Sequence, residues 1–140
     1  MTTPMSARRT QPEPVRAAVE EHKKTIVLCS PDLNFCLSLS MLFQDRYNVV
    51  TTSDLETLLK SVPAFPADLV LVDAGPSQKT LQQIEDLKRL KAQISIIMLY
   101  VYSAKDGALD RVVRRAVDAV FYKPFEIGTV SQRIDDLLRN

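Results

Sequence analysis

The feature that most constrains this chain is an alternation, from Thr25 onward, of short apolar runs with longer segments whose apolar residues recur at helical spacing. The runs are TIVLC (25–29), YNVVT (47–51), DLVLVD (68–73), ISIIMLYV (94–101) and AVFY (119–122). Each is apolar along most of its length, as a strand covered on both faces must be. Between them, Phe35, Leu39, Leu42 and Phe43 share one helical face, as do Leu55, Leu58, Leu59 and Val62 in the next segment. Leu81, Ile84, Leu87 and Leu90 or Lys91 mark a third helix, Leu109, Val112, Val113 and Ala116 a fourth, and Val130, Ile134, Leu137 and Leu138 a fifth.

The start signals agree. Asp32 precedes helix one, Ser53 with Glu56 makes a capping box for helix two, and Asp106 is placed to cap helix four. The Pro63 and Pro66 pair ends helix two and leads into strand three. Strict β-α alternation implies a parallel sheet with helices on both faces, because each crossover lays its helix on the sheet. The expected fold is therefore α/β, a flavodoxin-like, doubly wound (βα)5 domain over residues 24–140, with five parallel strands in the order 2-1-3-4-5.

Residues 1–23 are rich in Pro, Thr, Arg and Gln at first and thinly apolar from Val15, so a disordered or partly helical tail is expected there. The tail lacks the apolar core of a secretion signal, and the longest apolar run, Ile94 to Val101, is far shorter than the roughly 20 residues of a membrane span. The expected compartment is the cytoplasm, with no membrane partner.

Within 140 residues, 46% apolar and 25% charged, there is material for one globular core. Basic residues number eighteen and acidic seventeen, with no concentrated basic surface, so direct nucleic-acid binding is not expected. Cys29, Cys36 and the lone His22 build neither a disulfide framework nor a four-ligand metal site, and both cysteines read as small core residues.

In an open parallel sheet, ligands bind beyond the carboxyl ends of the strands, near the point where strand order reverses. Strand one ends in Cys29-Ser30-Pro31-Asp32, strand three in Asp73-Ala74-Gly75, strand four in Tyr100-Val101-Tyr102-Ser103, and strand five in Lys123-Pro124-Phe125. Asp73 directly follows LVLV, a costly place for a charge unless solvent, a cation or a partner receives it. Lys123 follows an apolar strand and precedes a proline, which permits a cis peptide that aims the lysine at the crevice. Tyr100 and Tyr102, two apart, with Tyr122 before Lys123, read as an aromatic patch or as strand-edge packing.

DLVLVDAG and AVFYKPF resemble the third and fifth strand motifs of response-regulator receiver domains, and the resemblance covers Lys24 to Asn140. It implies that Asp73 accepts a phosphoryl group from a histidine kinase or phosphotransfer protein. It also implies that Lys123, ahead of a cis bond to Pro124, contacts the phosphoryl oxygens. Mg²⁺ in this family draws on two acidic residues after strand one, the aspartate, and a backbone carbonyl two residues on. Here those ligands become Asp32, Asp73 and the Gly75 carbonyl, a weakened set.

The sequence departs from the family at three places. The acidic pair is replaced by Cys29-Ser30-Pro31-Asp32. The switching hydroxyl after strand four falls on Tyr100 or Ser103, while counting back from Lys123 reaches Val101. The loop AGPSQKT lacks the usual Met-Pro and later Gly.

Three functions follow in order. The first is a receiver in a phosphorelay with Asp73 as acceptor, and no enzyme beyond its own phosphorylation and dephosphorylation. The second is a degenerate pseudo-receiver, a phosphorylation-independent interaction module acting on an effector protein or on itself; magnesium dependence separates the two. The third is a small enzyme or nucleotide-binding protein, opposed by the lack of GxGxxG or a P-loop among Gly75, Gly107 and Gly128.

Overall fold

The computed structural model of the chain describes residues 23–62 and 66–139. The expectations for the tail before Lys23, and the role given to Pro63, lie outside the described residues. The strands are β1 (Thr25–Cys29), β2 (Asn48–Thr52), β3 (Leu69–Asp73), β4 (Ser95–Tyr100) and β5 (Ala119–Tyr122). Between and after them run α1 (Leu33–Phe43), α2 (Leu55–Ser61), α3 (Gln78–Leu90), α4 (Gly107–Ala116) and α5 (Ile127–Leu138), with a 3₁₀ turn at Ala104–Asp106 before α4.

All strand pairs are parallel, in the order β2-β1-β3-β4-β5. This is the doubly wound, flavodoxin-like arrangement expected from the alternation. Because side chains alternate across a strand, the sheet has two dry faces. Val27, Val70, Val72, Ile96 and Met98 pack with Leu55, Leu58, Ile84, Leu87 and Val113, the inward residues of α2, α3 and α4. Ile26, Leu28, Leu69, Leu71, Ile97 and Leu99 pack on the opposite face with Cys36, Leu39, Phe43, Val130 and Ile134 of α1 and α5. Each fully buried branched or aromatic side chain contributes about 1.5–3 kcal/mol, so the two layers dominate stability.

Three residues expected in the core face solvent instead: Leu42, Leu90 and Val112. Leu42 and Val112 lie one residue from a buried neighbour, Phe43 and Val113, and about 100° around the helix from it. Leu90 is the last residue of α3, beyond the reach of the sheet.

The caps also differ in part. Asp32 accepts from the Phe35 N–H at 3.1 Å, as read from the sequence. Helix α2 is capped by Asp54, which accepts from the Thr57 N–H at 2.8 Å, not by the Ser53–Glu56 box. Ser53 donates to the Asp54 carboxylate at 3.0 Å, and so braces the cap one residue later, where the charge meets the helix N-terminus. Asp106 sits at the start of α4 without a side-chain capping bond, because the preceding 3₁₀ turn supplies the entry. Ser77, not singled out in the sequence, caps α3 through the Thr80 N–H at 3.0 Å.

α5 is fastened to the α1–β2 corner by polar contacts. Arg46 Nη1 lies 2.8 Å from each Asp135 oxygen and Nη2 2.9 Å from the Ser131 hydroxyl, while Tyr47 donates its phenol proton to Asp135. Among the described residues no helix is long and apolar enough to cross a membrane.

Candidate functional site

The parallel register brings the chemistry together at one edge. Cys29 pairs with Val72, so the next residues, Ser30 and Asp73, leave neighbouring strands side by side. Tyr100 pairs with Tyr122, which brings Lys123 to the end of β4 and its N–H to the Tyr100 carbonyl at 2.9 Å. The Lys123–Pro124 peptide bond is cis.

Asp73 and Lys123 form an ion pair, the ammonium meeting Oδ1, with side chains 12% and 35% exposed respectively. The ammonium also lies 5.6 Å from the Phe35 ring centroid, so α1 provides its apolar wall. The second carboxylate oxygen, Oδ2, accepts the Ser30 hydroxyl proton at 2.7 Å. Ser30 Oγ in turn accepts from the Asp32 N–H at 3.0 Å, which fixes the direction of the hydroxyl. Asp73 is thus held from both sides, by a cation and by a neutral donor.

Asp32 spends Oδ1 on the α1 cap. Gly75 is exposed, and a Cβ there would meet nothing within 4 Å, so no packing demand fixes a glycine at this position. Tyr100 is buried and gives its phenol proton to Asp110 Oδ1 at 2.5 Å, and Ser103 lies beyond the end of β4, opening the 3₁₀ turn. The hydroxyl on Asp73 comes from Ser30, a partner not expected from the sequence pattern. Its signal was present: the residue after β1 must face the residue after Val72 once the two strands are in register.

A cleft of about 580 Å³ opens beside Asp73, lined among others by Cys29, Pro31, Asp54, Lys79 and Thr80. Burial, with the carboxylates of Asp54 and Asp73 and the Cys36 thiol nearby, pushes the Cys29 thiol up to about 12. Burial and the neighbouring Asp32 and Asp73 also raise Cys36. Both thiols are free and buried, in keeping with core packing.

The three tyrosines of the sequence pattern cluster at the ends of β4 and β5 and in the segment after β4. Tyr122 stands edge-on to Tyr100 and to Tyr102, with ring centroids 5.7 and 5.3 Å apart. Tyr102 is exposed, while Tyr100 is core, so the group is packing on one side and surface on the other.

A carboxylate paired with a lysine beyond the strand ends of a doubly wound sheet is the arrangement that the receiver resemblance implies. Comparison with known proteins agrees. No family model matches the chain. The alkaline phosphatase synthesis transcriptional regulatory protein PhoP of Bacillus subtilis (strain 168) is 30% identical over 120 residues, 84% of this chain and 49% of that protein. The chain therefore spans about half the length of the curated relative it matches. A response regulator from Thermotoga maritima superposes with a TM-score of 0.71 at 19% identity, covering 84% of this chain and 99% of that one. A two-component response regulator from Clostridium difficile does so with a TM-score of 0.71 at 13% identity, over 84% and 98%. The chain has the fold of these response-regulator structures and resembles PhoP over 84% of its own length, while it departs from the receiver pattern in the acidic pair after β1 and in the hydroxyl after β4.

Proposed function

We propose that this receiver domain works as a phosphorylation-independent interaction module of two-component signalling in the cytoplasm, engaging an effector protein or a second copy of itself. The observation that carries the reading is the Ser30–Asp73 hydrogen bond, which puts a neutral donor where the family conventionally has a metal-binding carboxylate. Mg²⁺ favours several oxygen ligands of high charge. Here one Asp73 oxygen meets the Lys123 ammonium, the other meets Ser30, and Asp32 caps a helix. Among the described residues no three His, Cys, Asp or Glu side chains converge as a metal site. The donor set does not fit a tight Mg²⁺ site. In this reading Lys123 and Ser30 satisfy a carboxylate that anchors three strand ends, and no chemistry is asked of it.

A second reading is favoured by the Asp73–Lys123 pair itself. In it, Asp73 is the phosphoacceptor, supplied by a histidine kinase or phosphotransfer protein, and Lys123 neutralises the added charge. The Ser30 hydroxyl would have to turn from Asp73 to admit the phosphorus. Intact mass after incubation with acetyl phosphate and Mg²⁺ separates the two: no added phosphoryl group supports the first reading, and one lost in Asp73→Asn supports the second.

A further inference from the structure

Among the described helices, α4 leans least on apolar burial. Of its ten residues only Val113 and Asp110 are buried, one aliphatic side chain and one carboxylate. A charged group in that position is costly unless several donors receive it.

The strand ends supply them. Tyr100, closing β4, donates its phenol proton to Asp110 Oδ1 at 2.5 Å, and the Tyr122 hydroxyl, closing β5, reaches Oδ1 at 2.9 Å and Oδ2 at 3.0 Å. Arg114, one turn further along α4, pairs with Asp110 Oδ2 at 3.4 Å. It also donates its Nε–H to the Tyr122 hydroxyl at 3.0 Å and lies 5.0 Å over that ring. Burial alone would raise the Asp110 carboxyl, but Tyr100, Tyr122 and Arg114 outweigh it and hold the group below its ordinary value. The carboxylate is therefore ionised and fully engaged at neutral pH.

The same cluster is joined to the Asp73 site by a single peptide bond. Tyr122 precedes Lys123, whose N–H is bonded to the Tyr100 carbonyl and whose ammonium pairs with Asp73. A displacement of the Tyr122 backbone is therefore passed directly to Lys123.

We propose that Asp110 is a polar latch: it keeps α4 docked on β4 and β5, and through Tyr122 it positions the Lys123 ammonium against Asp73. The coupling runs both ways, since a free energy linking two sites is reciprocal. It does not depend on whether Asp73 is ever phosphorylated.

Hydrogen–deuterium exchange of the full chain tests the latch, because local opening of one helix is read separately from the rest of the domain. Asp110→Asn, which keeps size and removes charge, should speed exchange of the Gly107–Ala116 amides about tenfold or more and leave β1 to β3 at wild-type rates. Lys123→Met alone should speed α4 exchange severalfold, and should add nothing further in the Asp110→Asn background, the non-additivity expected of coupled residues. Unchanged α4 exchange in Asp110→Asn overturns the latch. An equal effect of Lys123→Met in both backgrounds overturns the link to Asp73. If Asp110→Asn loses protection throughout the sheet, Tyr122→Phe takes its place: it removes one donor, and should speed α4 exchange severalfold with the sheet unaffected. No change there overturns the proposal as well.

Discussion

Ser30 donates its hydroxyl proton to Asp73 Oδ2 across 2.7 Å, and the direction is fixed because Ser30 Oγ already accepts the Asp32 N–H. A carboxylate at position 30 would reverse the interaction, placing two negative groups in hydrogen-bond contact. Ser30→Asp should therefore lower stability by about 1–3 kcal/mol in the absence of divalent cation. Millimolar Mg²⁺ should recover much of that loss in the variant and shift the wild-type thermal midpoint by less than about 1 °C, on the scale where 1 kcal/mol moves such a domain several degrees. A wild-type midpoint that climbs with Mg²⁺ as steeply as the variant's would count against the donor-set argument.

Lys123 is the other half of the Asp73 environment. Lys123→Met leaves the mostly buried carboxylate with Ser30 alone, and should cost about 1–2 kcal/mol, discounted because the ammonium is partly solvated. Adding Asp73→Asn to Lys123→Met should return most of the loss, since an amide needs no counter-ion. Urea midpoints of the two single variants and the double variant measure this; strict additivity would mean that the pair is not coupled.

The fold was legible in the sequence because its cause is periodic. Five buried strands have to be apolar along their length, and the crossovers between them have to be amphipathic, so TIVLC and AVFY marked their strands to the residue. Asp73 and Lys123 were legible for the same reason, as charges that directly follow such runs. What pattern could not give is contact across strands. Ser30 reaches Asp73 only once β1 and β3 are set in register, and Asp110 is recognisable as a buried acid only once Tyr100 and Tyr122 are seen to converge on it. Ser53 and Asp54 show a finer limit: either could cap α2, and the choice depends on which residue adopts the extended backbone at the helix start.

Acid should loosen α4 before the rest of the domain. The folded Asp110 carboxyl lies below its ordinary value of 3.8, so its ionised form contributes stability that is present above the unfolded value and is lost as pH falls through the folded one. Exchange or proteolysis within Gly107–Ala116 should rise as pH drops below about 4, and Asp110→Asn should flatten that dependence. An acid response of α4 identical in wild type and variant would assign it to other carboxylates.

Both thiols should be inert in the folded protein. The thiolate is the reactive form, and burial raises Cys29 to about 12 and lifts Cys36 in the same direction. Iodoacetamide near neutral pH should label neither cysteine on the folded chain and both in denaturant. Rapid labelling of Cys29 under native conditions would show that the cleft beside Asp73 opens far enough to expose the end of β1.

Intact mass after incubation with acetyl phosphate and Mg²⁺ decides the role of Asp73. If Lys123 and Ser30 hold Asp73 as a structural carboxylate in a phosphorylation-independent module, the wild-type chain gains no phosphoryl group. A phosphoryl group that appears on the wild type, persists in Asp68→Asn and vanishes in Asp73→Asn would contradict it and establish the phosphoacceptor reading in its place.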